Sequence, residues 1–184
     1  IGMVGVVPEV RHVPRGSWEL GEVLYLLGPS DGELGASRYL QVLLGLDAGP
    51  VPPVDYIAQR RRARVVADLV RLGLVAATDL SDGGLATALV RMGSPDCGAD
   101  IALSWDSSVA RALFGEWMGQ FLLAVQPACE PALVQATDGL ELHRLGAVGG
   151  DRLVVRVGKR IVLSESMAEL CAIPDRRLAW IDEA

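Results

Sequence analysis

An acidic, glycine-rich turn within Asp79–Leu89 has the residue types of an anion or nucleotide site. It joins a short apolar stretch to an amphipathic segment that predicts a helix. Gly83 and Gly84 can adopt positive φ and let a ligand approach the backbone, and the N–H groups at the helix start point toward the turn. Ser81, Asp82, Gly83 and Gly84 are therefore candidate cofactor-binding residues of a phosphate or nucleotide loop.

The same spacing also suits an ordinary helix start. Ser81 or Asp82 would then be the N-cap residue, with a side-chain oxygen that accepts a hydrogen bond from the first turn. In that case Asp79 makes only a local contact. A short motif does not separate a ligand loop from a capped strand-to-helix turn, and both interpretations stay open.

Composition limits the classes of protein that the chain can represent. Its 184 residues suit one domain, or one with an appendage, and 51% hydrophobic with 22% charged residues predicts a folded core. The net charge of −6 argues against a nucleic-acid partner. No apolar run of about eighteen residues predicts a membrane-spanning helix, and no signal peptide is recognisable, so a cytoplasmic location without membrane contact is expected.

The remaining conspicuous side chains favour structural roles. Three cysteines match neither a disulfide framework nor a metal-binding spacing, and the two histidines lack neighbouring ligands, so no metal site is predicted. Trp105, Trp117 and Trp180 are expected in the core or at an interface, whereas Trp18 falls in a predicted loop. Four arginines lie inside a predicted helix and are expected to form its solvated face, with Arg64 placed to pair with Asp68: Arg60, Arg61, Arg62 and Arg64.

The hydrophobic pattern predicts alternating strands and helices that form a layered domain. Strands are predicted over residues 2–7, 22–27, 74–78, 99–103, 120–125, 141–147, 152–157 and 160–163. Helices are predicted over about 34–43, 54–72, 84–92, 109–114 and 127–136, with a last helix that carries Met167 and Leu170. Gly158 and Lys159 are expected to join the last two strands in a tight hairpin.

Three further segments, in a fixed order around the acidic turn, carry a family resemblance. They are Ile1–Val7, Gly32–Leu40 and Leu113–Glu116, the last of which precedes a glycine and a predicted strand. In this order, the chain closely resembles the carboxy-terminal part of the phosphoribosylformylglycinamidine synthase family, within the superfamily of aminoimidazole ribonucleotide synthetase. The resemblance implies an α+β fold, in which a mixed, largely antiparallel sheet packs with helices.

The resemblance extends over about residues 1–173 and implies a division of the chain. Residues 1–12 would be the last strand of a preceding ATP-binding-type domain, and residues 13–184 would be an accessory domain. The family's catalytic histidines, ATP-binding residues and metal carboxylates lie upstream of the matched part, so no catalytic residue is assigned here. A start at Ile1, inside a predicted strand, fits a fragment that is inactive by itself.

For the full-length protein, the resemblance implies an ATP-dependent ligase of purine biosynthesis. Formylglycinamide ribonucleotide and glutamine-derived ammonia would give formylglycinamidine ribonucleotide, with ATP and magnesium as cofactors. Magnesium would offset the charge on the transferring phosphoryl group. The implied partners are a glutaminase and small accessory subunits, and apolar surface left by missing upstream domains would favour self-association of the chain.

Glu116 is a candidate substrate-binding residue, again through the resemblance. In the first half of the family protein, a Glu-Ser-Gln stretch at the corresponding place contacts the substrate. Trp117 and Met118 follow Glu116 here, so the polar pair is missing. That departure favours a structural carboxylate at a helix end over a substrate contact.

Two alternatives remain at this stage. Thiamine-monophosphate kinase, selenophosphate synthetase and a hydrogenase-maturation protein share the Asp-x-Ser-Asp-Gly turn, although the Gly32–Leu40 segment favours the purine enzyme. The chain would otherwise be a non-catalytic structural or nucleotide-holding module.

Overall fold

A mixed sheet runs through the part of the chain that the computed structural model describes, residues 4–30, 32–104 and 108–173. Its seven strands within those residues, in chain order, are Val23–Leu27 (β1), Val75–Asp79 (β2), Ala99–Leu103 (β3), Phe121–Val125 (β4), Leu142–Val148 (β5), Arg152–Val157 (β6) and Arg160–Ser166 (β7). Their order across the sheet is β2-β4-β1-β5-β3-β6-β7. Only the β3–β6 pair is parallel, which confirms the predicted α+β fold with a largely antiparallel sheet.

Helices cover both faces of the sheet. They are Arg38–Leu44 (α1), Tyr56–Arg71 (α2), Gly84–Met92 (α3), Val109–Phe114 (α4), Glu130–Ala136 (α5) and Met167–Cys171 (α6), with 3-10 turns at Val10–His12 and Pro127–Cys129. One core cluster joins α3, α4 and α6 to alternate strand residues such as Leu24 and Leu26. A second cluster packs α2 and α5 against the other face, on Tyr25 and Leu27.

Most predicted elements form where the pattern placed them. Asp55 caps α2 through the N–H groups of Ile57 and Ala58, both at 3.0 Å from Asp55 Oδ1. Gly73 follows the helix with φ of +69°, as expected of a glycine that ends a helix. The first predicted helix begins later than residue 34, at Arg38, because Ser37 is its N-cap residue.

The predicted strand at residues 2–7 is wrong for its described part. Residues 4–7 form no strand, and the side chains of Val4 and Val6 are 103% and 90% exposed. A strand needs a neighbour that satisfies its backbone N–H and C=O groups, and no described strand lies beside this segment. Residues 1–3 lie outside the described residues.

The tryptophans divide among three situations. Trp105 and Trp180 lie outside the described residues. Trp18, in a loop, is buried in the first core cluster, and its indole Nε1–H donates to the carbonyl of Cys97 at 3.0 Å. Trp117 is half-buried.

None of the helices in the described ranges is long and apolar enough to cross a membrane.

Candidate functional site

The segments that the sequence singled out meet in one place. The acidic turn leads into α3, the Gly32–Ser37 segment leads into α1, and Gly115 and Glu116 follow α4. An isolated antiparallel bridge joins two of these segments, since the N–H of Glu33 donates to Glu116 O at 3.1 Å and the N–H of Glu116 donates to Glu33 O at 2.9 Å. The tertiary fold therefore brings together three segments that are some thirty to eighty positions apart.

Three glycines allow the backbones to touch there, and we call Gly32, Gly84 and Gly115 the glycine junction. A Cβ atom on Gly84 would lie 2.5 Å from the carbonyl oxygen of Gly115, and one on Gly115 would lie 2.7 Å from Gly32 Cα. A Cβ atom on Gly32 would lie 2.5 Å from the nitrogen of Glu116. Real Cβ atoms do not approach backbone so closely, so each position excludes any other residue unless the backbone shifts.

The carboxylate of Glu116 links the acidic turn to the start of α1. Its Oε1 atom accepts hydrogen bonds from the backbone N–H of Gly83 and from that of Arg38, both at 2.9 Å. The site residue that resemblance marked as a candidate substrate contact thus contacts the chain's own backbone. These contacts are those expected of a structural carboxylate, and the substrate contact of Glu116 stays a prediction.

Helix α3 lacks the side-chain cap that the sequence suggested, because neither Ser81 nor Asp82 is its N-cap residue. Gly83 occupies that position with φ of +82° and makes no side-chain cap, and Gly84 follows with φ of +61°. Two consecutive residues with positive φ redirect the backbone, and Ser81 and Asp82 are left exposed. The N-cap interpretation is therefore wrong.

Asp79 makes the local contact that was expected if it has no ligand. Arg91, in the last turn of α3, donates from Nη2 to Asp79 O at 2.8 Å, and the same atom lies 3.9 Å from Asp79 Oδ1. Nη1 of Arg91 also lies 3.5 Å from Ser81 Oγ. The Arg91 side chain therefore runs back along its own helix and contacts Asp79 and Ser81 of the turn.

An open groove of about 420 Å³ runs beside this junction. Asp79, Asp82 and Glu116 contribute carboxylates to it, and no Lys, Arg or His is among its described lining residues. Arg91 contacts Asp79 and Ser81 from α3 and offsets part of this negative charge. The remaining carboxylates disfavour a free phosphate and favour a cation or a hydrogen-bond donor. In the described ranges, no group of three His, Cys, Asp or Glu side chains is placed to hold a metal ion.

Arg62 is a residue whose role the sequence interpretation missed. It is 6% exposed and does not belong to the solvated face that was expected of the arginine cluster. Its Nε donates to Gly119 O at 2.7 Å, and its Nη2 lies 3.5 Å from Met118 O, in the segment that lines the groove. The signal was present, because position 62 precedes the buried Val66 and Leu69 by four and seven residues and so lies on the apolar stripe.

Asp68 and Gln120 also have defined partners within the chain. Asp68 pairs with Arg71 at 3.1 Å and not with Arg64, because the i,i+3 partner reaches it. Gln120 is 2% exposed and donates from Nε2 to Pro29 O at 2.7 Å, whereas its Oε1 has no hydrogen-bond partner in the described residues.

The hypothesis of a phosphate or nucleotide loop at Ser81–Gly84 stays a prediction, and the geometry limits it. The N–H of Gly83 is engaged by Glu116, and that of Gly84 donates to Ser81 O at 2.9 Å. The three cysteines are free thiols, and burial raises the pKa of Cys97 and of Cys171, which lowers the thiolate fraction of these two.

The fold is an α+β domain whose largely antiparallel sheet is covered by helices on both faces. The chain belongs to the family described as "AIR synthase related protein, C-terminal domain", whose model matches residues 19–158. The resemblance predicted from the motif order is thereby confirmed at the level of the superfamily and its carboxy-terminal domain.

Relatives of known name extend this result. The chain is 35% identical to phosphoribosylformylglycinamidine synthase subunit PurL of Erythrobacter litoralis over 84% of its length, and 32% identical to that of Carboxydothermus hydrogenoformans over 98%. The matched regions are only 23% and 26% of those proteins. The chain therefore spans about a quarter of the length of these curated relatives.

Solved structures agree on the fold. Thermotoga maritima PurL complexed with FGAR matches with a TM-score of 0.72 at 18% identity, over 86% of this chain and 29% of that one. The hydrogenase maturation protein HypE in complex with ATP matches with a TM-score of 0.54 at 16% identity, over 86% of this chain and 55% of that one. At these identities the likeness establishes the fold and no shared ligand.

Proposed function

We propose that this chain is the accessory part of an ATP-dependent phosphoribosylformylglycinamidine synthase. The full-length protein would ligate glutamine-derived ammonia to formylglycinamide ribonucleotide and form formylglycinamidine ribonucleotide. The observation that carries the proposal is the convergence of the acidic turn, Gly32–Ser37 and Glu116 at one junction. These segments are the ones whose order resembles the purine enzyme. The PurL relatives, matched over most of this chain, support it.

ATP and magnesium are the proposed cofactors of the full-length protein. Solved structures of Thermotoga maritima PurL are complexed with ATP, with ADP and with FGAR. The junction described above does not fit a triphosphate, because its groove is lined by carboxylates and the amides of Gly83 and Gly84 are engaged. No step of the reaction is therefore assigned to this chain's residues, and the isolated chain is expected to be inactive.

The proposed setting is a cytoplasmic assembly. A solved structure of PurLQS from Thermotoga maritima has the same fold in one of its chains, with a TM-score of 0.64 and 19% identity. By that analogy, a glutaminase and a small accessory subunit are proposed partners of the full-length protein.

A turnover assay tests the proposed reaction. The full-length protein is incubated with ATP, magnesium, ammonia and formylglycinamide ribonucleotide, and ADP and the amidine product are measured, with the 184-residue chain assayed in parallel. We expect turnover by the full-length protein and none by the chain. Failure with this substrate, together with turnover of thiamine monophosphate or selenide, would assign the protein to another branch of the superfamily.

A non-catalytic structural or nucleotide-holding module is the second candidate function. Because Glu116 already accepts a hydrogen bond from Gly83 of the turn, a structural module is favoured over a nucleotide-holding one. The double substitution Ser81→Ala/Asp82→Ala in the full-length protein separates the two forms. Unchanged activity and unchanged nucleotide content support a structural domain, whereas loss of bound nucleotide supports a holding site.

Self-association of the isolated chain is a further proposal, and it rests on residues 42–57, which we call the apolar segment. Its large apolar side chains are 49–83% exposed: Val42, Leu43, Leu44, Leu46, Val51, Tyr56 and Ile57. An exposed run of this kind is typical of a contact surface. Sedimentation velocity over a concentration series should reveal dimers or larger species, and a strict monomer at high concentration would contradict the proposal.

A further inference from the structure

We propose that Glu116 is the anion that the Ser81–Gly84 turn holds, so that the chain's own carboxylate closes this turn to an external phosphate. Glu116 would then be a positioning residue that fixes the start of α3 against the start of α1. The inference concerns the folding of this chain and does not depend on the reaction proposed above. At the Ser81–Gly84 turn, the carboxylate of Glu116 would take the place of a bound phosphate or nucleotide.

The carboxylate of Glu116 lies where two separate segments of the chain meet. Two backbone N–H groups from separate segments, those of Gly83 and Arg38, converge on a single oxygen atom at equal distances of 2.9 Å. Hydrogen bonds from backbone amides to an ionised carboxylate are among the strong ones. The side chain also starts from a fixed point, since the backbone of Glu116 is paired in both directions with Glu33. The carboxylate therefore takes up the N–H of Gly83, an amide of the turn that a bound anion would otherwise use.

Contacts within the chain account for both glycines of the motif. Gly84 is required by its approach to the carbonyl oxygen of Gly115, and a Cβ atom on Gly83 would collide with Thr87 Oγ1. Both residues have positive φ, which the entry into α3 requires. The glycines are therefore explained without a ligand that approaches the backbone.

Electrostatic repulsion also disfavours an external phosphate at this turn. A phosphate in the groove beside the turn would meet the carboxylates of Asp79, Asp82 and Glu116, and the described groove lining contains no Lys, Arg or His. Arg91 contacts Asp79 and Ser81, and its guanidinium already donates to the carbonyl of Asp79. The net charge of the chain, −6, adds to the repulsion. Glu116 carries its negative charge into the turn as part of the fold, so the two amides need no anion from solution.

Chemical rescue tests the proposal on the 184-residue chain. In Glu116→Ala, the two amides lose their acceptor, and formate is small enough to replace the missing carboxylate. Thermal unfolding is measured with increasing sodium formate, with sodium chloride added to hold the ionic strength constant. Asp82→Ala is the matched control, because it removes an exposed carboxylate from the same groove.

We expect Glu116→Ala to lower Tm by about 5–10 °C, as the loss of two charge-assisted hydrogen bonds predicts for a chain of this size. Formate should restore more than half of that loss in a saturable manner. The original chain and Asp82→Ala should not respond to formate. Equal Tm values for the two variants, or a Glu116→Ala variant that formate does not stabilise, would overturn the proposal.

Glu116→Gln keeps the test valid if the alanine variant does not fold. Its amide oxygen still accepts from both N–H groups but carries no charge, so we expect a smaller fall in Tm and the largest amide chemical-shift changes at Gly83 and Arg38. Changes spread elsewhere, with these two amides unmoved, would refute the assignment. Phosphate and ATP are added separately to the original chain, and a saturable Tm increase that Ser81→Ala/Asp82→Ala abolishes would show that an external anion binds the turn.

Discussion

The junction around Glu116 and the apolar segment at residues 42–57 differ in how far contacts within the chain cover or satisfy their groups. At the junction, glycine contacts, a backbone bridge and a shared carboxylate satisfy the groups of three separate segments. The apolar segment has backbone contacts of its own, such as the N–H of Ala36 donating to Ala48 O at 2.9 Å, but its large apolar side chains stay exposed. Helix α1 contributes no residue to the described core, and Tyr56 and Ile57 project from the start of α2. The motif with the residue types of a binding site therefore has hydrogen-bond partners within the chain, whereas the exposed apolar segment carries no recognisable motif.

Gly84→Ala would break the junction most severely. The new Cβ atom would meet the Gly115 carbonyl oxygen, and the residue must also keep φ of +61°. We expect the free energy of unfolding to fall by about 3–5 kcal/mol in urea denaturation.

Gly158→Ala is the matched control for that substitution. It has a similar φ of +58°, but a Cβ atom there has nothing within 4 Å. Its cost should therefore be only the backbone strain, about 1 kcal/mol. Equal losses in the two variants would show that the close approach at the junction contributes nothing.

Arg62→Leu would weaken the groove side of the junction. The substitution removes the donors to Gly119 O and Met118 O and leaves the partly buried carbonyl group of Gly119 without this partner. We expect a loss of about 1.5–3 kcal/mol in the same denaturation experiment. Arg60→Leu, at an exposed position of the same helix, should change stability by less than about 0.5 kcal/mol. A similar loss in both variants would contradict a special role for Arg62.

The apolar segment should show the reverse behaviour. Leu43→Glu and Leu44→Glu place charge at positions that are 61% and 62% exposed, so the free energy of unfolding should change by less than about 0.5 kcal/mol. Sedimentation velocity should nevertheless show a shift toward monomer. Val134→Glu, at a position 54% exposed on α5, is the control and should leave association unchanged. Association that survives both leucine substitutions would place the contact elsewhere.

Local pattern predicted much of the fold. Alternation and helical spacing located the strands and most helices, because each depends on which face of a short segment is buried. Residues 4–7 are the exception, since an apolar run becomes a strand only beside another strand. Strand order and the parallel pairing of β3 with β6 involve segments far apart in the chain, and no local pattern encodes them.

The sequence by itself determined the residue types of the motif, its family and its glycines with positive φ. Only the tertiary structure decided what those residues contact. Glu116 lies more than thirty positions from Gly83, and whether an amide meets a ligand or an internal carboxylate depends on which segment packs against it. Tertiary packing also decided that Arg62 is buried while the arginines around it are not. Burial of one arginine among four depends on which segment covers that side of the helix. Spacing specifies which groups are available, and long-range packing selects their partners.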